Sequence, residues 1–396
     1  MFQSVKIYII AGNCFLHTPT HKQMSKPYPP FTCTHSPNVP EFLWQLNATI
    51  VLSTYQAGKL IFLSAANKDN LVQLPRNFKK AMGIALKDHY LAIATEDSVI
   101  VYGHERSLAP RYPAKPNTYE TLFVPRASYY TGILDLHDLE WGDEGLWAVN
   151  TQFSCLALIN DSYSFQPKWQ PSFITKLEPG DRCHLNGLAM QNGKPKYVTA
   201  LGTTNESMKW RENKVKGGVL IEVDSKEIVA TELGMPHTPK IYKDKVLVLQ
   251  SATGEIIAID PQSGKKESWY KFPGFVRGMG IYEDYAFIGL SKIRTTSKTF
   301  QDLPISKESV FAGVAIMYLP HRSIVGYIKY ETSVEEIYSV QILPNMRRPG
   351  MASIDKEDFR YSIVTPKDTF WALKDAPQDA DTPTQKGDDV SFTYAN

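Results

Sequence analysis

The sequence predicts an all-β fold, a six-bladed β-propeller, and three observations lead there. Helical periodicity is scarce between residues 45 and 345, where short runs rich in Val, Ile, Tyr and Leu stand instead: TIVLSTY, LAIATED, LWAVNTQ, YVTALG, KVLVLQS and YAFIGLS. These runs recur with a period of about 40–60 residues, longer than a hairpin and close to one propeller blade. The two ends of the pattern are half-patterns that complete one another, as a ring closed by its own ends requires.

Each element follows in order. In residues 1–23, Lys6 precedes an apolar stretch from Ile7 to Ala11 that Gly12 and Asn13 interrupt. That stretch falls short of the roughly 7–15 residues of a signal-peptide core, and no small-residue cleavage site follows. Cys14 follows Asn13 rather than a small residue, so a lipid anchor is not expected either. Met24 opens a more ordinary start, MSKPYPPF, and residues 1–23 read as a disordered extension or an early start codon. Residues 24–44 are rich in Pro, Thr and Ser and are expected to pack over the propeller.

The propeller is placed over residues 45–345. TIVLSTYQAGKLIFLSA, from Thr49, supplies later strands of a blade with no first strand before it. KAMGIALKDHYLAIATE from Lys80, HDLEWGDEGLWAVNT from His137, HLNGLAMQNGKPKYVTA from His184, HTPKIYKDKVLVLQS from His237 and RGMGIYEDYAFIGLS from Arg277 each read as a strand, a tight polar turn and a more apolar strand. EEIYSVQIL, from Glu335, is a first strand with no second. Pairing it with the strands from Thr49 closes the ring at six blades; seven stays open because the closing blade rests on two half-patterns. Residues 346–396 form a C-terminal segment that ends in a disordered tail, DAPQDADTPTQKGDD.

Composition excludes several classes. Over 396 residues, 43 Lys+Arg against 41 Asp+Glu leaves no basic excess for a nucleic-acid partner. No apolar run approaches the roughly 18 residues that span a bilayer. Four cysteines without a Cys-x-x-Cys or a regular spacing argue against a disulfide framework, so a cytoplasmic location is the expectation. The sequence lacks G-x-S-x-G, Walker A, G-x-G-x-x-G and H-E-x-x-H motifs. Cys155 and Cys183 read as buried structural thiols rather than nucleophiles.

The candidate chemistry lies where the first strand of each blade enters the central channel. His137, His184 and His237 take that place on three consecutive blades, Arg277 on the next, Glu335 or Glu336 on the closing blade, and Lys80 or Ala81 on the last. Three imidazoles in register suit one divalent transition metal with an open coordination position, and zinc, iron and copper are equally compatible. Glu336 is expected as a fourth ligand or general base, with Glu335 in its place if the strand phase shifts by one. The competing reading makes the three rings hydrogen-bonded channel fillers or direct ligand binders. Asn186, two residues beyond His184, is expected to line the channel below it.

Loops between second and third strands return to the same face. They bring Tyr55, Gln56, Asn150 and Gln152 to the rim, and two long ones bring WRENK at 210–214 and SKIR at 291–294. With Arg277, the residues Arg211, Lys214, Lys292 and Arg294 are expected to meet an anionic group such as a carboxylate or phosphate. A solvated charged loop surface is the plainer alternative for each.

The stretches STYQAGKL, HDLEWG, FSCLA, DRCHLNGLA, WRENK with GGV, MPHTP, FIGLSK and VEEIYSV together resemble an uncharacterised bacterial propeller-like family, some of whose members are fused to tetratricopeptide repeats. The resemblance spans roughly residues 31–350, implies a bacterial member standing alone, and carries no settled activity. Its motifs contain His137, His184, His237, Arg277 and the Glu335–Glu336 pair.

Two functions follow as expectations. One is a metal-dependent enzyme acting on a small or peptidic anionic substrate, with hydrolysis, isomerisation and oxygen chemistry unresolved. The other is a non-catalytic propeller module that binds a peptide, glycan or protein. Solvent access to the three histidines separates them, because rings bonded to backbone in a plugged channel favour the binding module.

Overall fold

The computed structural model describes residues 28–293, 300–309 and 311–372. The extension at 1–23, Arg294 and the acidic tail lie outside the described residues.

Six antiparallel sheets of four principal strands follow one another around an axis. Blade 1 comprises Ile84–Lys87, Tyr90–Ala94, Ser98–Glu105 and Thr121–Tyr130. Blade 2 comprises Leu136–Gly142, Gly145–Asn150, Cys155–Ile159 and Gln166–Trp169, and blade 3 Leu185–Gln191, Lys194–Ala200, Gly218–Glu222 and Ile228–Leu233. Blade 4 comprises Pro236–Tyr242, Lys245–Gln250, Glu255–Ile259 and Lys266–Lys271, and blade 5 Phe275–Tyr282, Tyr285–Ser291, Ala312–Tyr318 and Ser323–Tyr330. Blade 6 is the composite: Ser339–Pro344 is the inner strand, and Ala48–Thr54, Lys59–Ala65 and Leu71–Asn77 complete it. The closing register runs antiparallel from Ala48 opposite Pro344 to Ser53 opposite Ser339. The count is six, and the two half-patterns are one sheet.

The flanking segments cover sheet edges. Cys33–His35 pairs with Ser323–Tyr330 on the outside of blade 5, and Pro349–Met351 runs parallel to Thr121–Tyr130 on the outside of blade 1. Both remove exposed edge strands. The one α-helix among the described residues, Val39–Leu46, starts with Pro40 in its first turn and stops where Asn47 turns left-handed at φ 53°. Its Val39 and Leu43 are fully buried against blades 5 and 6.

A separate apolar cluster fills each junction between neighbouring blades. Leu188, Val198 and Leu156 join blades 2 and 3; Leu220, Val248 and Ile257 join 3 and 4; Leu249, Met279 and Ile288 join 4 and 5. Each such Leu, Ile or Val contributes about 1.5–3 kcal/mol by leaving water. Period-two alternation therefore breaks down in middle strands such as Ala48–Thr54 and Lys59–Ala65, which are buried on both faces.

The inner strands approach so closely that one position needs glycine. A Cβ on Gly83 of the blade 1 entrance would lie 2.8 Å from the Asp138 Cα on blade 2. Among the described residues no helix is long and apolar enough to cross a membrane.

Candidate functional site

The three histidines stand at the entrances of blades 2, 3 and 4, and one backbone device orients two of them. Asp135 and Met235 each adopt a left-handed conformation two residues before a histidine, at φ 55° and 49°. That turn folds the carbonyl back onto the ring. His137 Nδ1 donates to the Asp135 carbonyl at 3.0 Å, and His237 Nδ1 donates to the Met235 carbonyl at 2.8 Å. Ser251 Oγ, itself donating to the Val276 carbonyl, lies 2.7 Å from His237 Nδ1.

His184 is held differently. Asp181 and His184 are both left-handed, at φ 47° and 51°, and the turn brings the Asp181 carboxylate to His184 Nδ1 at 2.9 Å from both oxygens. Trp210 Nε1 donates to the same carboxylate at 3.1 Å, and its ring packs on the imidazole at 4.2 Å between centroids. In all three rings the Nδ1 proton is committed, so Nε2 is the lone-pair nitrogen of the neutral ring.

Electrostatics hold two of the rings neutral. Burial pushes the His137 imidazole down to about 3, against an upward pull from Asp135. Burial pushes His237 well below its ordinary value, and the Arg277 cation adds to the effect.

These rings line a cavity of about 210 Å³ at the mouth of the channel. Tyr55, Gln56, Arg211, Arg277 and Glu336 line it too, as the sequence suggested, and Asp135, Trp210, Met235, Phe275, Phe300 and Tyr338 complete the wall. Arg277 stacks with its guanidinium carbon 3.5 Å from the Tyr338 ring centroid and lies 3.8 Å from Glu336 Oε1. The two long loops meet beside the cavity, where Trp210, Phe275, Leu303 and Ile305 share one buried cluster.

Other expected residues stand elsewhere. Glu336, not Glu335, faces the cavity; Glu335 is exposed, and its carbonyl accepts the Lys292 backbone N–H. Asn150 is fully buried and accepts the Phe153 backbone N–H. Gln152 uses its backbone to hold Gly180 and Asp181. Asn186 lies deeper, receiving the Thr199 hydroxyl and donating to the His184 carbonyl. Lys214 and Lys292 are not part of the cavity wall, and Arg294 lies outside the described residues.

The channel is crossed below the cavity. Lys240, three residues beyond His237, reaches from blade 4 to Glu140, three residues beyond His137 on blade 2. Burial draws the Lys240 ammonium down, and Glu140 and Asp138 outweigh it, so the ammonium is held above its ordinary range. The buried Asp138 carboxylate accepts the Leu139 and Leu188 backbone N–H groups.

The donor set fits a metal in chemistry and is incomplete in spacing. The His137 and His184 rings meet edge to face at 4.7 Å between centroids, whereas His237 packs on Phe275 at 6.1 Å. Among the described residues no group of three or more His, Cys, Asp or Glu is gathered as a metal-holding set as the side chains stand. Sequence reading missed Asp181, Trp210, Met235, Phe275 and Tyr338. The Asp three residues before His184 was a visible signal, because Asp tolerates the left-handed turns that bring it back to the ring.

Residues 37–352 match the model of a family described as a domain of unknown function (DUF4915). No curated protein matches. Among solved structures, a chain of a nidogen/laminin complex is similar with a TM-score of 0.48 at 10% identity, over 75% of this chain and 99% of that one. A protein of unknown function from Bacteroides caccae is similar with a TM-score of 0.47 at 7% identity, over 75% of this chain and 98% of that one.

Proposed function

This chain belongs to the DUF4915 family, and we propose that its axial cavity is a three-histidine metal centre of an enzyme acting on a small or peptidic anionic substrate. One observation carries the reading: His137, His184 and His237 line one cavity with every Nδ1 committed to a carbonyl or carboxylate. Outer partners of this kind fix the tautomer of metal-binding histidines and raise their basicity. The buried imidazoles of His137 and His237 also need a donor or a cation to offset their lost hydration.

In this reading the three imidazoles would hold one divalent ion, zinc, iron or copper, through their Nε2 atoms. The ion supplies Lewis acidity or redox chemistry when bound. Arg277 holds the substrate's anionic group, and Glu336 is placed to take up a proton or to act as a further ligand. Free Cys33, Cys155 and Cys183 fit a reducing, cytoplasmic setting, and the family resemblance is to bacterial proteins.

A second reading is a binding module without metal. The separated His237 ring and the Lys240–Glu140 bridge across the channel favour it, as does the resemblance to chains fused to tetratricopeptide repeats. Elemental mass spectrometry of protein purified without an affinity His-tag, beside a His184→Ala variant, separates the two. Near-stoichiometric metal that is lost in the variant supports the enzyme. Metal-free protein that cannot be reconstituted overturns it.

A further inference from the structure

The cavity's charges fall into two adjoining sectors, which meet where Arg277 lies 3.8 Å from Glu336 Oε1. Asp135 stands at the entrance of blade 2 and Glu336 at the entrance of blade 6, so the two carboxylates flank the sector of blades 6, 1 and 2. Arg211 belongs to the blade 3 loop and Arg277 to the entrance of blade 5, so the two guanidiniums flank the sector of blades 3 to 5. Two carboxylates thus face two guanidiniums around one cavity.

Such a wall disfavours a dianion such as phosphate, whose charge would face two carboxylates across a small space. It equally disfavours an organic cation that lacks an anionic group. It suits a dipolar molecule, with a carboxylate turned to Arg277 and an ammonium turned to Asp135 and Glu336. The cavity of about 210 Å³ lies below the roughly 300–1,000 Å³ of sites for drug-sized ligands. Met235, Phe275 and Phe300 offer an apolar wall for a side chain.

We propose that the cavity takes a small zwitterion, a free α-amino acid with an apolar side chain. This names the substrate class of the site described under the proposed function and rests on that site being the functional one. It does not need the metal.

The test is calorimetric titration of the purified protein with the twenty free L-α-amino acids, followed by N-acetyl and amide derivatives of the best binder. Saturable binding of an apolar amino acid, weakened at least tenfold by either blocking group, is expected. Arg277→Gln should weaken the free amino acid and its N-acetyl form, while Glu336→Gln should weaken the free amino acid and its amide. Both variants are checked for unchanged circular dichroism, and the blocked ligands probe the same question without any substitution. No binding by any amino acid, or equal binding of a blocked form, overturns the inference. Amino-acid binding by metal-free protein upholds it while the metal reading falls; bound metal without amino-acid binding does the reverse.

Discussion

Asp181 holds both oxygens of its carboxylate 2.9 Å from His184 Nδ1. The same group receives the Trp210 indole N–H. One buried carboxylate thus joins a turn, a pocket wall and the middle ring of the histidine row, and it fixes which nitrogen of His184 is bare.

Asp181→Asn removes the charge while keeping the size, and its single amide oxygen cannot serve both donors equally. Metal affinity, read by competition with a chromophoric chelator, is expected to fall by about 10–100-fold. The Trp210 environment should change in fluorescence while the far-ultraviolet circular dichroism stays the same. Unaltered affinity would mean that Asp181 holds the turn and nothing more.

Lys240→Met keeps the volume of the stem and leaves Glu140 and Asp138 facing one another without a cation. Breaking a buried pair in this way costs about 3–5 kcal/mol. Here the loss should fall nearer 2–3 kcal/mol, because the two side chains retain 18% and 17% of their exposure. Urea denaturation reads the change, and a Lys240→Met, Glu140→Gln double variant should recover part of it. A midpoint that does not move would show that water, rather than Glu140, satisfies the ammonium.

His104 predicts an acid limb. Burial holds its imidazole at about 4, with help from His89 and Arg106. The unfolded chain takes up its proton near 6.5, so the unfolded state binds more protons between those values. Stability is therefore full above about pH 6.5 and falls by about 3 kcal/mol as pH drops to the folded value. His137 and His237 shift the same way. Replacing His104 with Gln should flatten part of this limb in denaturation midpoints measured across the range. A limb identical in the variant would assign the whole effect to the other rings.

The blades were legible because strand, turn and strand recur, and closure was legible because the run from Thr49 lacks what the run from Glu335 supplies. The histidine register was legible for the same reason, since a repeat places equivalent residues at equivalent points on the axis. The site's other half was not. Phe300 and Trp210 arrive from long loops whose course no periodicity encodes. Glu335 and Glu336 could not be told apart by alternation because regular strand begins only at Ser339. The turns that aim the imidazoles depend on left-handed residues, and Met235 is not a residue type that announces one.

The composite sixth blade sets a timetable for synthesis. Ala48–Thr54 leaves the ribosome early, yet its partner Ser339–Pro344 follows almost three hundred residues later. Until then the strand presents an unpaired edge with Ile50, Val51 and Leu52 that the finished ring hides completely. A nascent chain stalled before residue 339 would hold five assembled blades and one sticky margin, so translation speed and chaperone occupancy bear on yield more heavily than on final stability.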